Sequence, residues 1–307
     1  MRILKLTAVL TTVVFNAVAQ RPDSIVRVDN KTVTLSEVVI NNKLNIPQFI
    51  DRIKNDSSFY KAFRNLHILS FSAINDIRMN NSDGQVKAYL HSKTKQLRSN
   101  GCRKMETLEE QVSGDIYDDD HNFNYYTAQM YASLFFTKDS VCGEDNIVKG
   151  KEFSTAGKSG MDKHKEQLKM LFFNPGKKIS GIPFISNKTA IYDADIADKY
   201  DMSIDMELHN NTNCYIFKQK VKPDNKADVV VDEMITWFDD RTYEVLARNY
   251  TLSYDAGFYD FKVQMEVELS KFGEYLVPVL IRYNGNWKAI FKKRERGIFT
   301  ATLFDFK

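Results

Sequence analysis

The clearest pattern of apolar and polar positions lies near the end of the chain. Phe261, Val263, Met265, Val267 and Leu269 alternate with Asp260, Lys262, Gln264, Glu266 and Glu268. A period of two puts each set on its own face of an extended strand, so this segment predicts a sheet with one dry and one wet face. The same logic places Tyr275, Val277, Val279, Ile281 and Tyr283 on one face of the next strand. Asn284-Gly285-Asn286 then reads as a turn into a strand carrying Trp287, Ala289 and Phe291. Further strands are predicted at 228–238, 243–254 and 298–306, separated by Asp239-Asp240 and Asp255-Ala256-Gly257. The C-terminal half therefore reads as a consecutive antiparallel meander.

Earlier in the chain the period changes. Asn45 reads as a helix cap, with Pro47 behind it and apolar residues at Phe49, Ile50 and Ile53. A second short helix is predicted over 59–66. Residues 68–79 and 86–97 flank Asn81-Ser82-Asp83-Gly84, which predicts a hairpin. The stretch from about 102 to 180 is the least regular and reads as a helical insertion, with helices at 125–136 and 161–173. No Pro- or Ser-rich linker and no fixed-period repeat divides the chain. The expected organisation is a polar segment at 20–45, β-like at 32–40, followed by one β-rich domain at 46–307.

The N-terminus changes this picture by adding an address. Arg2 and Lys5 precede an apolar run at 6–18 that ends in Ala17-Val18-Ala19, a small-x-small site of the kind signal peptidases cut. The run is broken by Thr11, Thr12 and Asn16 and is shorter than the roughly 20 apolar residues that span a bilayer. Residues 1–19 are therefore expected to be a signal peptide, with the mature chain starting at Gln20 in a periplasm or outside the cell. Neither a lipid anchor on a cysteine at the cut nor a stable membrane span is expected. Of 43 basic and 40 acidic residues, removal of Arg2 and Lys5 leaves 41 against 40. That near-neutrality offers no general basic field for nucleic acid.

In an oxidising compartment three cysteines allow one intramolecular pair, and Cys102 with Cys142 is the expected one, with Cys214 left over. No CxxC element suggests redox chemistry or structural zinc. Asp118, Asp119, Asp120 and His121 are the densest set of metal-ligand types, but consecutive acids point in different directions, and a solvated turn before a helix is expected. The five histidines form no HExxH pair, and no GxSxG elbow occurs. Ala156-Gly157-Lys158-Ser159 fails as a phosphate loop, because Lys151 and Glu152 stand where its first glycine is required. Asp239-Asp240 fits a hairpin turn better than a pair of glycosidase acids. No metal, cofactor or catalytic residue is expected. Lys288, Lys292, Lys293, Arg294 and Arg296 form a basic cluster read as part of the penultimate strand. Two readings stay open for it: contact with anionic headgroups or an acidic partner, and an outward face that protects an edge by charge.

One stretch carries a resemblance. Tyr215-Ile216-Phe217-Lys218-Gln219-Lys220, then Val229-Val230-Val231, then Trp237-Phe238-Asp239-Asp240-Arg241-Thr242 with Val245 and Arg248, resembles the two consecutive strands and return strand of the LolA/LolB lipoprotein carriers. The resemblance covers about 35 residues of the chain. It implies an incompletely closed half-barrel, an antiparallel meander in an α+β fold, with helices covering its open side and an apolar hollow for acyl chains. The chain departs from the carriers in its longer helical middle and its basic, aromatic end. On this reading Trp237, Val245, Phe261, Val263, Met265, Val279 and Ile281 would line the hollow. The function implied is a non-enzymatic periplasmic or secreted binding protein that holds a lipid or acylated peptide. The alternative is a solidly packed interaction protein whose partner is another envelope protein.

Overall fold

The structure is a computed structural model that describes residues 25–28, 31–34, 46–148, 171–178, 185, 187–255, 257, 260–288 and 293–307. The expected signal peptide, the Asn45 cap, most of the 161–173 helix, the lysine-rich loop at 149–160 and Lys292 lie outside these residues. The chain forms two compact units, Met1–Val39 and Ile40–Lys307. In the first, β1 (Ile25–Val28) and β2 (Lys31–Thr34) pair as a two-stranded antiparallel hairpin.

The second unit opens with α1 (Ile46–Ile53) and α2 (Ser58–Asn65). The Asp56 carboxylate accepts from the Ser58 amide at 3.2 Å and from its hydroxyl at 3.1 Å, satisfying donors that the first turn of α2 leaves open. Phe59, Ala62 and Phe63, spaced by three and four, bury one face of that helix. Three long strands follow, β3 (Phe71–Asn80), β4 (Val86–Ser99) and β5 (Cys102–Ser113), then α3 (Tyr126–Phe135) and the short β6 (Ser140–Cys142). After a four-residue helix at Ala194–Ala197 come β7 (Tyr200–His209), β8 (Thr212–Val221), β9 (Val231–Asp239), β10 (Val245–Asp255), β11 (Asp260–Phe272), β12 (Tyr275–Lys288) and β13 (Glu295–Phe304).

These eleven strands make one sheet in the order β6-β5-β4-β3-β13-β12-β11-β10-β9-β8-β7. Every neighbouring pair is antiparallel, and β13 beside β3 is the one pairing not made by consecutive strands. The sheet does not close, so the α+β, mainly antiparallel class and the meander are as expected. Phe49 and Ile53 of α1, Phe59 and Phe63 of α2, Ala128 and Tyr131 of α3, and Leu171–Phe173 share one core with alternate residues of the strands. The helices thus cover one face of the sheet.

The structure corrects three readings. Cys102–Ser113 is a twelve-residue strand, so the sheet continues where a helical insertion was expected to begin. Its side chains are mostly exposed on both faces near the sheet edge, which erased the period-2 signal. Asn284-Gly285-Asn286 is no turn: β12 runs straight through it, with Gly285 opposite Val263. A Cβ on Gly285 would lie 1.9 Å from Tyr283 Oη, so the missing side chain makes room for the Tyr283 ring. That ring stacks on Phe299 with centroids 4.2 Å apart. Finally, the register of β11 and β12 shifts between Glu268 and Leu269: Val267 faces Ile281, but Leu269 faces Pro278. The extra residue flips the phase of β12, so Leu276 and Pro278 join the face of Ile281 and Tyr283, while Tyr275 and Val277 leave it.

Candidate functional site

The covered face has two unlike halves. Under α1 it is filled with rings. Phe49 sits edge-on to Tyr215, Phe217 and Phe238 at 5.8, 5.3 and 5.5 Å and lies 5.9 Å from Tyr243. The Arg52 guanidinium covers the outer face of Tyr243 at 3.5 Å.

Between α2, α3 and strands β3, β4 and β13 the same face is hollow. A cavity of about 280 Å³ opens there. One wall is apolar, formed by Phe63, Phe71, Ala73, Phe135, Phe173 and Leu303; the other end carries Arg64, His67, Gln96, Arg103 and Glu144. Arg103 donates through Nε to Glu144 Oε2 at 2.5 Å, through Nη2 to Oε1 at 3.3 Å, and through Nη1 to Gln96 Oε1 at 3.1 Å and to the Thr137 hydroxyl. Gln96 in turn donates to the backbone carbonyls of Leu66 and Leu69 at 2.7 and 2.8 Å. His67 Nδ1 lies 2.9 Å from Glu144 Oε1. Burial pushes His67 down to about 4; the adjacent Glu144 opposes this, while Arg103 and Arg64 add to it. Burial pushes the Glu144 carboxyl up, but its hydrogen bond from Arg103 and the charges of His67, Arg103 and Arg64 outweigh that and hold it below the usual carboxylate value.

A disulfide anchors this polar end. Cys102 and Cys142 face each other across the β5–β6 pair and are joined, and Glu144 and Asp145 follow directly in the chain. From that strap Asp145 accepts from Arg64 Nη2 through its carbonyl at 2.7 Å and its carboxylate at 3.2 Å, and Asn146 donates to the buried Asn65 at 2.9 Å. Cys214 is a buried free thiol whose pKa burial pushes up to about 11.

Helix α3 closes the hollow half through polar contacts at its start and its middle. Its first amides, Tyr126 and Thr127, donate to the Glu295 carboxylate of β13 at 2.9 and 2.8 Å, and Trp287 Nε1 donates to the Thr127 hydroxyl at 2.5 Å. A carboxylate at a helix N-terminus suits both the open amides and the helix dipole. Further along, Tyr131 donates to Asn75 Oδ1 at 2.7 Å, and Asn75 donates to Thr94 at 3.2 Å and to Ser92 at 3.4 Å. On the far side of α3 a smaller apolar hollow of about 50 Å³ is lined by Met130, Phe172, Phe261, Val263, Met265 and Trp287, among others.

The residues singled out from sequence are thus dispersed. Phe261, Val263 and Met265 meet at the small hollow. Ile281 is buried in the core, and Val245 packs at the filled half, its amide donating to Ser58 Oγ at 2.9 Å. Val279 falls at the β11–β12 bulge, half-buried. Trp237 is on the wrong face: it pairs with Ala247 and lies 5.4 Å from the His209 ring, whereas its neighbour Phe238 points to the helices. A register shift between Val245 and Ala247 puts Val245 opposite Phe238 and Ala247 opposite Trp237, so Val245 and Trp237 do not share a face.

The larger cavity was missed, and a signal for it existed. Asn75 on β3 and Ser92, Thr94 and Gln96 on β4 stand at inward positions, all nearly fully buried. Four polar residues on the dry phase of a hairpin mark a polar interior. The described members of the basic cluster flank the β12–β13 connection and do not lie inside one strand. Lys288 and Lys293 are exposed, and Arg296 is half-buried on β13. Arg294 donates to Asp260 at 2.7 Å and to Asn286 at 2.8 Å, so it ties that connection to β11. Asp118 organises its own loop, accepting from the amides of Asp120 and Asn122 at 3.0 and 2.7 Å.

No protein-family model matches the chain, and no curated protein does. Among solved structures it is similar to an outer membrane lipoprotein-sorting protein domain from Vibrio parahaemolyticus, at 11% identity and a TM-score of 0.27, covering 82% of this chain and 91% of that one. It is also similar to a DUF1329 family protein from Desulfovibrio piger, at 14% identity and a TM-score of 0.24, covering 81% and 92%. Superpositions this loose establish neither a shared site nor a shared ligand.

Proposed function

We propose that this chain is a non-enzymatic binding protein of the cell envelope, exported through its N-terminal signal, that holds an acyl chain or similar apolar ligand under α3. The observation that carries the reading is the cavity of about 280 Å³ between α2, α3 and the β4-β3-β13 strands. A cavity of roughly 150 Å³ lined by apolar side chains already takes up benzene. Each methylene buried on the apolar wall contributes about 0.8 kcal/mol, so six would supply about 5 kcal/mol. An occupant longer than the hollow has to displace α3, which hydrogen bonds to Glu295 and Asn75 hold in place. The disulfide supports an oxidising compartment, since such bonds are rare in a reducing cytosol.

The test is native mass spectrometry with lipid extraction on protein purified from its own compartment without detergent. Near-stoichiometric lipid or acylated peptide is the expected result. A clean apo mass, together with no uptake of a fluorescent fatty acid, would overturn the reading in favour of an envelope interaction protein.

A further inference from the structure

The polar end of the large cavity is selective in what it leaves open. The oxygens of three of its side chains are in use: Gln96 Oε1 takes hydrogen bonds from Arg103 and Thr137, Asn75 Oδ1 from Tyr131, and both Glu144 oxygens from Arg103. Two buried nitrogens here, Arg64 Nε and His67 Nδ1, make no well-formed hydrogen bond among the described residues, the latter lying 2.9 Å from Glu144 Oε1. Arg64 lines the cavity, its Nη2 is engaged by Asp145, and its buried Nε, a donor, has no acceptor among the described residues. A buried N–H without a partner costs about as much as a lost hydrogen bond, and an incoming acceptor recovers that cost. The charges agree with this. At this end Arg64 and Arg103 stand against Glu144 and Asp145, with His67 uncharged at neutral pH, so the charges balance while Asp145 holds Arg64 and one net positive charge is left when Asp145 turns away.

Resting on the reading of this cavity as an acyl-chain site, we propose that its ligand is a single-chain amphiphile with an oxyanion head, carboxylate or phosphate monoester, held by Arg64 with the tail on Phe63, Phe135 and Phe173. A planar guanidinium edge matches such a head in shape as well as charge. Asp145 is the exposed partner of Arg64 and is the group that gives way, turning to water as the head arrives.

The test is displacement of N-phenyl-1-naphthylamine, a fluorescent apolar probe, from the full-length mature protein at pH 7.5. Competitors are dodecanoate, dodecyl phosphate, dodecanol and dodecyltrimethylammonium, with acetate and inorganic phosphate as heads without tails. Dodecanoate or dodecyl phosphate should displace the probe at about tenfold or more lower concentration than dodecanol, as expected for a charged hydrogen bond. Whichever of the two is stronger identifies the source of the oxyanion, and the short heads alone should do nothing. Arg64→Met, which keeps the stem, should erase the preference, so that dodecanoate and dodecyl phosphate displace the probe no better than dodecanol does from the same variant. Equal displacement by all four amphiphiles, or a preference for the cationic one, would overturn the head-group assignment and leave the acyl cavity standing. Displacement by inorganic phosphate alone would also overturn it, marking a free-anion site. Failure of the protein to take up the probe at all would sink the cavity reading itself. The competitor series on the unmodified protein decides the matter even if the Arg64 variant folds poorly.

Discussion

The half of the sheet under α1 and the half under α2 and α3 use the same architecture, and one is solid while the other is hollow. The difference is in the size and polarity of the inward side chains. Beneath α1 they include Tyr215, Phe217 and Phe238, long enough to reach the helix and meet Phe49. Beneath α2 and α3 Phe71 and Leu303 are joined by Ala73, Ala301, Asn75, Ser92, Thr94 and Gln96. The alanines fall short of the helices, and the polar residues hydrogen-bond to one another or to backbone instead of packing. A buried polar group must keep its partners, so it cannot relax into the space. Arg248 marks the boundary between the two regimes: its stem fills volume, its Nε donates to Thr236 at 3.1 Å, and its guanidinium lies 4.5 Å from the Phe59 ring.

This contrast can be broken from either side. The largest effect is expected for Phe49→Ala, which removes a ring from four aromatic contacts in the solid half and should cost about 3–5 kcal/mol in denaturant unfolding. A cost below about 1 kcal/mol would mean that α1 is not a structural plug. In the hollow half, the double substitution Cys102→Ser with Cys142→Ser releases the strap carrying Glu144 and should lower stability by about 2–4 kcal/mol. Its sharper consequence is hydrogen exchange: amides at 143–146 should lose protection while those around Phe49 keep theirs.

The polar end should also give the hollow half a pH dependence. His67 has a folded-state pKa of about 4, against 6.5 for the free side chain, so folded protein binds fewer protons between those values. Stability from this group is fully present above pH 6.5 and falls as the pH drops towards 4, by up to about 3 kcal/mol. Unfolding midpoints measured from pH 7 to 4 should follow that slope, and His67→Gln should flatten it. An unchanged slope in the variant would assign the acid sensitivity to other groups. The smallest effect is expected for Ala301→Leu, which adds atoms where there is room. It should stay within about 1 kcal/mol of the unmodified protein, where overpacking a filled core costs about 1–3 kcal/mol. It should nevertheless weaken probe uptake, which separates cavity filling from damage.

Much of the fold was legible from pattern alone. The alternation at 260–269, the spacing of Phe49, Ile50 and Ile53, and the turn cluster at 81–84 each report local geometry, and each element forms where its period indicates. What failed involved a one-residue event. The bulges at Glu268/Leu269 and Val245/Ala247 change which side chains share a face without any mark in the alternation itself, and they part Val279 from Ile281 and Val245 from Trp237. Gly285 misled because a glycine between two asparagines looks like a turn, and its reason for being small, the Tyr283 ring, is a packing fact.

The sequence by itself determined the antiparallel meander, the leading helices and the amphipathic character of the strands, because these follow from periods of two and about 3.6 acting over a few residues. Only the tertiary structure decided that β13 lies beside β3, which bulges set the register, and which half of the covered face is empty. Those depend on distances between segments far apart in the chain, and whether a side chain spans the gap to a helix is a matter of volume that no local pattern encodes.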